Sequence, residues 1–226
     1  MNLVIFDIDG TITDSTNVDY QCFVQTFYDL YQLDVRHMQW NDFLHVTDSG
    51  VTSELFRKNF DQEISKDVEE TIKLYFYNLL KSRQKEITEI PGAIKTLQLL
   101  PEMLHTVIAF ATGGWKMTAV YKLSAIGYDV SSQIMVTADD HFDRSQITLK
   151  AIDQSRIKHR LERFESITYI GDGLWDLRTC KQLGINFIGI DYLGTNELTD
   201  AGAEFVVKDL LQPDKIIQWI TNKKTI

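Results

Sequence analysis

Two aspartates separated by one residue, Asp7 and Asp9, lie near the start of this sequence between an apolar run and Gly10. The apolar run, residues 3–6, is too short for a helix and is typical of a buried strand of a parallel sheet. Because side chains alternate along a strand, both carboxylates can project to one side, and the glycine lets the backbone turn there. One carboxylate can then be an ionised nucleophile and metal ligand while the other acts as an acid. Two carboxylates this close together need a cation to offset their negative charge.

Two other interpretations of this stretch compete with the catalytic one. A calcium-binding loop places glycine sixth, after acidic ligands at positions one, three and five, whereas Gly10 is fourth here and follows a strand-like run. An ordinary solvated turn also favours Asp and Gly. Further motifs along the chain favour the catalytic interpretation.

A second acidic motif, GDGLWD at residues 171–176, follows the apolar run 167–170. Asp172 would lie at the end of a strand, and Asp176 would lie one turn further on the same side if a helix begins there. Oxygen ligands without a nearby His or Cys favour magnesium over zinc. The motif therefore predicts a Mg²⁺ site.

Two weaker motifs follow two other predicted strands. After residues 107–110, Thr112 and Gly113 precede a predicted helix. A hydroxyl and free amide groups at a helix start can bind an anion. The alternative is a strand-to-helix turn that merely needs glycine. Within residues 139–145, Arg144 precedes another helix and could clamp phosphate or balance the acidic cluster. The alternative for Arg144 is a solvated surface side chain.

The pattern of apolar residues predicts the elements that hold these motifs. From residue 89 onward, short apolar runs alternate with amphipathic segments, which is typical of a parallel sheet wound by crossover helices. The predicted fold class is α/β, with a Rossmann-like parallel sheet core and helices on both faces. The predicted strands are residues 3–6, 107–110, 134–137, 167–170, 187–190 and 205–207, and the helices of this part include residues 117–124, 145–161, 176–183 and 213–219.

Residues 16–88 have a different character. Apolar and aromatic residues recur there at spacings of three and four, which indicates a small bundle of amphipathic helices. A breaker pair, Pro91-Gly92, follows this segment. The sequence thus predicts a helical cap domain of residues 16–88 inserted into a core domain of residues 1–15 and 89–226. A cap beyond a catalytic loop can exclude water and contact the leaving group.

Composition limits the classes of partner. The 226 residues are 44% hydrophobic and 24% charged, and no apolar run approaches the ~20 residues of a membrane span. A net charge of -9 argues against nucleic acid as the main partner, and no membrane partner is expected. No secretory signal pattern precedes the first strand and Cys22 and Cys180 form no CxxC pair, so the expected location is cytoplasmic.

Together, DxDGT at residues 7–11, the Thr112-Gly113-Gly114 element and GDGxxD at residues 171–176 resemble the haloacid dehalogenase (HAD) superfamily of phosphohydrolases, over nearly the whole chain. The overall plan is similar to phosphoglycolate phosphatase-like members. The resemblance implies that Asp7 is the nucleophile, which forms an aspartyl-phosphate, and that Asp9 is the acid and base. It further implies that Thr112 with Gly113 binds the substrate phosphate.

For the metal, the resemblance implies that Asp172 completes a magnesium site with Asp7 and the backbone carbonyl of Asp9, supported by Asp176 and Thr11. The chain departs from the family pattern at the third motif, where most members have a lysine. The matching stretch offers Arg144 or Lys150, and Arg144 is favoured because it immediately precedes the predicted helix.

The function implied is that of a magnesium-dependent phosphatase acting on a small phosphorylated metabolite. A phosphomutase with the same chemistry is one alternative, and it would have to exclude water. A phosphonatase would need an imine-forming lysine in the cap, for which Lys58, Lys66 and Lys73 are candidates without supporting context. Dehalogenation fits poorly because a halide needs no acid at Asp9. A catalytically silent binding protein on the same fold is the alternative from another class.

Overall fold

The main element of the fold is a parallel β-sheet that includes both the first and the last strand of the chain. The structure, a computed structural model, describes residues 1–223, so the last three residues of the predicted core domain lie outside the described residues. No described helix is both long and apolar enough to cross a membrane. The strands are β1 (Asn2–Phe6), β2 (Thr13–Asp14), β3 (Thr88–Glu89), β4 (Thr106–Ala111), β5 (Ile134–Val136), β6 (Ile167–Gly171), β7 (Asn186–Ile190) and β8 (Val206–Val207). The helices are α1 (Thr16–Tyr31), α2 (Asp48–Phe60), α3 (Lys66–Ser82), α4 (Ala93–Leu104), α5 (Lys116–Ala125), α6 (Arg144–Lys158), α7 (Leu174–Leu183), α8 (Glu197–Asp200) and α9 (Pro213–Asn222).

The main sheet has the strand order β5-β4-β1-β6-β7-β8, and all neighbouring strands are parallel. Strand β1 lies inside this sheet, and its residues from Leu3 onward have no exposed surface. Val4 and Phe6 pack into the hydrophobic cluster on one face, whereas Leu3 and Ile5 pack into the cluster on the other. The prediction of a first strand buried on both faces is confirmed.

Helices cover both faces of this sheet. Residues of α4, α5 and α9 share the cluster of Val4, and residues of α6, α7 and α8 share the cluster of Leu3. The predicted α/β fold with helices on both faces is therefore confirmed, and the predicted strands lie within a residue or two of the observed ones. Elements β2, β3 and α8 were not predicted, because two residues of strand or four of helix are too short to show a periodic pattern.

Helices α1, α2 and α3 occupy most of the segment between β2 and β3, and they form a hydrophobic cluster of their own. This cluster also includes Trp115 and Ala138, which come from loops of the α/β part. The two ends of the segment are joined by the antiparallel pair β2–β3, in which Thr13 faces Glu89. The chain thus leaves and re-enters the α/β part at one place, and the division into a cap of residues 16–88 and a core remains a proposal.

Candidate active site

Four loops meet at the carboxyl edge of the sheet. Strands β5, β4, β1 and β6 are neighbours in the sheet, and the carboxyl ends of parallel strands lie at the same edge. Asp7 follows β1, Thr112 follows β4 and Asp172 follows β6, while Arg144 begins the helix after β5. These four residues and Asp9 all line one cavity of about 70 Å³. The structure thus brings together residues of all four predicted motifs.

Arg144 is the cation of this cavity. Its Nη1 lies 3.2 Å from Asp7 Oδ2 and 2.8 Å from Asp176 Oδ1, and its Nε donates to the carbonyl oxygen of Val46 at 2.8 Å. The guanidinium also lies 5.4 Å from the ring centre of Trp175. Burial opposes its charge, but Asp176 and Asp7 outweigh burial and raise the pKa of Arg144 above its ordinary value. Arg144 is therefore a permanent cation beside Asp7.

Lys150, the other candidate for the third motif, lies on the same helix but outside the cavity. Its Nζ is 2.6 Å from Asp140 Oδ1, and its side chain is 44% exposed against 14% for Arg144. A pair this exposed contributes little stability because water screens it. Of the two cations, the fold brings Arg144 to Asp7.

Three carboxylates form a cluster next to Arg144. Ligand oxygens of Asp7, Asp172 and Asp176 all lie within 4.8 Å of one another. Loss of water contact, together with the charges of Asp7 and Asp176, raises the pKa of Asp172 well above its ordinary value. Three such groups with one arginine have an excess of negative charge, and oxygen donors of this kind suit Mg²⁺. The residues therefore fit a divalent cation, and Asp176 joins the two predicted side-chain ligands.

Two glycines make room for charged groups of the site. A Cβ atom on Gly10, whose φ is +72°, would lie 1.9 Å from Asp172 Oδ2. A Cβ on Gly113 would lie 2.5 Å from Arg144 Nη2. Both positions therefore exclude a side chain, because the space is filled by a group of the site.

Asp9 has partners that differ from those of Asp7. Its carboxylate accepts a hydrogen bond from Ser15 Oγ and lies 2.7 Å from Lys122 Nζ. Lys122 lies on α5, is fully buried and also pairs with Asp19 of α1. Burial opposes the charge of Lys122, but Asp19 and Asp9 raise its pKa above the ordinary value. Lys122 therefore links the Asp9 loop to the inserted helices as a permanent cation.

The predicted phosphate-binding loop is partly occupied by internal hydrogen bonds. The Thr112 amide donates to Val136 O at 3.1 Å, and the Gly114 amide donates to Thr112 Oγ1 at 3.2 Å. Among residues 1–223 the Gly113 amide has no acceptor, and Gly113 lines the cavity. This amide is free to bind an anion. Thr11, in contrast, is buried outside the cavity lining, and its hydroxyl has no partner in the described part of the chain.

Sequence reasoning missed Lys122, Asp19 and Asp48. Asp48, at the start of α2, is 6% exposed, and its Oδ2 accepts a hydrogen bond from the Trp115 amide at 2.9 Å. Burial and the charge of Asp19 raise the pKa of Asp48 well above its ordinary value. A signal for Lys122 and Asp19 did exist, since each is a charged residue on the buried face of its helix. For Asp48 no such signal existed, because an acidic residue at a helix start is ordinary.

The chain resembles known proteins in both sequence and fold. Residues 4–190 match the sequence model of the family described as haloacid dehalogenase-like hydrolase. No curated protein matches the chain significantly. A hydrolase from Pseudomonas syringae shares 22% identity, covers 97% of this chain and 99% of its own, and superposes with a TM-score of 0.76.

Two other solved structures have the same fold. CbbY from Rhodobacter sphaeroides, in complex with phosphate, shares 17% identity over 93% of this chain and 95% of its own, with a TM-score of 0.69. A predicted phosphoglycolate phosphatase from Haemophilus somnus 129pt shares 17% identity over 96% of this chain and 97% of its own, with a TM-score of 0.67. At these identities the likeness shows the fold alone.

Proposed function

The chain belongs to the haloacid dehalogenase-like hydrolase family, and from this premise we propose that it is a magnesium-dependent phosphatase of small phosphorylated metabolites. The reaction would pass through an aspartyl-phosphate on Asp7. The observation that supports this most is the buried Asp7 carboxylate, which contacts Arg144 inside a cluster of further carboxylates. CbbY, a protein of the same fold, was solved in complex with phosphate, which is consistent with a phosphorylated substrate here.

Asp7 would attack phosphorus from a fixed orientation. Its Oδ1 accepts a hydrogen bond from the Ile8 amide at 2.8 Å, and its Oδ2 contacts Arg144. Arg144 and the free amide of Gly113 would bind the phosphoryl oxygens, which gain negative charge in the transition state. Arg144 and the Gly113 amide are held in place before the reaction, so they need no reorganisation in the transition state. Their position in the same cavity as Asp7 supports Asp7 as the nucleophile.

A magnesium ion would be held by Asp7, Asp172 and the backbone carbonyl of Asp9, with Asp176 in support. When bound, Mg²⁺ supplies positive charge that neutralises phosphoryl oxygens. Thr112, which lines the same cavity, would contribute its hydroxyl to the phosphoryl group, and Thr11 would support the loop.

Asp9 would transfer the protons. Held by Ser15 and Lys122, it would protonate the leaving oxygen and then accept a proton from the water that hydrolyses the aspartyl-phosphate. The inserted helices would act as a lid, because Val46, Thr47 and Asp48 reach the cavity from that segment. None of the three lysines considered for a phosphonatase, Lys58, Lys66 and Lys73, is among the described residues that line this cavity.

Release of phosphate from p-nitrophenyl phosphate tests this proposal. With Mg²⁺ we expect multiple turnovers, and removal of the metal by EDTA should lower the rate by at least about a hundredfold, because several kcal/mol of charge stabilisation are lost. Excess Mg²⁺ should restore the rate. A rate that EDTA leaves unchanged would contradict magnesium dependence, and an absence of turnover on any phosphate ester would favour the silent binding protein.

Arg144→Ala and Lys150→Ala separate the two candidates for the third motif. We expect Arg144→Ala to lower turnover on the order of a hundredfold or more, because a charge-assisted contact to the transferring group is lost. Lys150→Ala should change turnover by less than about threefold, since its exposed pair contributes little. The rates should be measured at saturating Mg²⁺, with thermal unfolding to establish that both variants fold. A large loss in Lys150→Ala with a near-normal Arg144→Ala would reverse the assignment.

A further inference from the structure

The side of the cavity next to Asp9 is rich in acidic residues, and this indicates what kind of substrate the proposed phosphatase would bind. A phosphatase that uses Asp9 as its acid must place the leaving oxygen beside that carboxylate. Asp48 lies close by: a Cβ on Gly114 would be 3.7 Å from Asp9 Oδ2 and 3.8 Å from Asp48 Oδ2. The remainder of the leaving alcohol would therefore pass Asp48.

Asp48 is buried, and only one of its two carboxylate oxygens accepts a hydrogen bond from a described residue. Its Oδ2 accepts the hydrogen bond from Trp115, but its Oδ1 has no donor among residues 1–223, although the residue is only 6% exposed. Oδ1 is not among the fully buried side-chain atoms that lack a partner, so it keeps some access to solvent. Because Asp48 lines the cavity, a donor on a bound molecule could supply the missing contact.

The charges around Asp48 indicate what kind of donor fits. Asp9, Asp19 and Asp48 lie together at this end of the cavity, and Lys122 is the one cation paired with them among the described residues. Burial and Asp19 raise the pKa of Asp48, and Lys122, which is paired with Asp9 and Asp19, offsets them only in part. A positively charged group at this point would offset the excess negative charge, whereas an anionic group would increase it.

A groove that continues from the cavity is also lined by acidic and neutral residues. It has a volume of about 570 Å³ and shares Thr16, Trp40, Asp172 and Trp175 with the cavity. Its described lining contains no lysine or arginine, and Arg144, the one cation that lines the cavity, is already held by Asp7 and Asp176. The further acidic residues of the groove are Asp14, Asp191 and Glu197.

We propose that the substrate is the phosphate monoester of an amino alcohol, whose ammonium group is bound by Asp48. The indole of Trp40, which lines both the cavity and the groove, provides an aromatic surface suited to a cation. Apart from Arg144, no lysine or arginine among the described lining residues would pair with a second phosphate or a carboxylate, so we expect monoesters with an anionic leaving group to be poor substrates. This assignment depends on the proposed phosphatase activity.

Three phosphates of matched length test the assignment: 2-aminoethyl, 2-hydroxyethyl and carboxymethyl phosphate. With the wild-type protein and Mg²⁺, kcat/KM for the amine should exceed that for the hydroxyl compound by at least about tenfold, because a charge-assisted contact is lost without the ammonium. The carboxylate compound should be worse than the amine by at least about a hundredfold, since repulsion is added. Equal values for amine and hydroxyl, or a preference for the carboxylate, would overturn the assignment.

Asp48→Asn tests the residue. The asparagine oxygen can still accept the hydrogen bond from Trp115, so the change removes mainly the charge. We expect the amine-to-hydroxyl ratio of kcat/KM to fall to about one, because the ammonium then gains little over a hydroxyl. Asp61→Asn is the matched control: Asp61 is exposed on the inserted segment, and asparagine tolerates its positive φ. An unchanged ratio in Asp48→Asn would overturn the role of Asp48.

p-Nitrophenyl phosphate separates the two proposals. If the wild type hydrolyses it with Mg²⁺ but shows no preference for the amine, the substrate assignment fails and the phosphatase proposal stands. If neither this ester nor any of the three matched phosphates is hydrolysed, both fail. The wild-type ratios decide the substrate class even if Asp48→Asn does not fold.

Discussion

Asp7→Asn is expected to abolish phosphatase turnover, with a loss of at least about a thousandfold, while the protein remains folded. A neutral amide cannot attack phosphorus, and it is also a weaker metal ligand. The fold should tolerate the change, because asparagine can accept the Ile8 hydrogen bond and Arg144 keeps Asp176 and Val46 as partners. Removing one of three clustered carboxylates also relieves repulsion.

Phosphate release at saturating Mg²⁺ measures this loss, and thermal unfolding shows whether the variant is folded. Asp61→Asn makes the same change of side chain on the exposed surface and should retain wild-type activity. Wild-type protein quenched in acid during turnover should retain phosphate on the peptide that contains Asp7, and Asp7→Asn should retain none. Activity above a few per cent of wild type in a folded Asp7→Asn protein would exclude Asp7 as the nucleophile.

Asp9→Asn should lower turnover of an alkyl phosphate by about 10²- to 10⁴-fold, the usual contribution of a general acid and base. Both the proton donor for the leaving alkoxide and the base for water are removed. Lys122 would keep Asp19 as its charged partner, so we expect the buried cation to remain compensated and the variant to fold.

The leaving group gives this prediction a second readout. Nitrophenolate leaves without a proton, so Asp9→Asn should still transfer phosphate to Asp7 from p-nitrophenyl phosphate and then stall, because the base for hydrolysis is absent. Rapid mixing should therefore show a burst of about one nitrophenolate per enzyme, followed by a slow steady state. A loss of threefold or less on an alkyl phosphate would assign proton transfer to another residue.

The sequence by itself determined the sheet and the edge at which the site lies. Apolar runs such as residues 3–6 and 167–170 are local patterns, and the residues that follow parallel strands must meet at the carboxyl edge. The strand pattern therefore places Asp7 and Asp172 at one edge, and the family resemblance implies that they share one metal site. The choice between α/β and other classes also followed from the order of strands and helices, which needs no side-chain detail.

The tertiary structure decided which charged side chains reach that edge. Arg144 and Lys150 lie on one helix and are both cations, and only the packing of α6 directs the first to Asp7 and the second to Asp140. Lys122 and Asp19 are 103 residues apart, and they become partners because α5 and α1 both pack into the cluster of the inserted helices. Sequence periodicity shows which face of each helix is buried, but the neighbour that this face meets depends on how the helices pack.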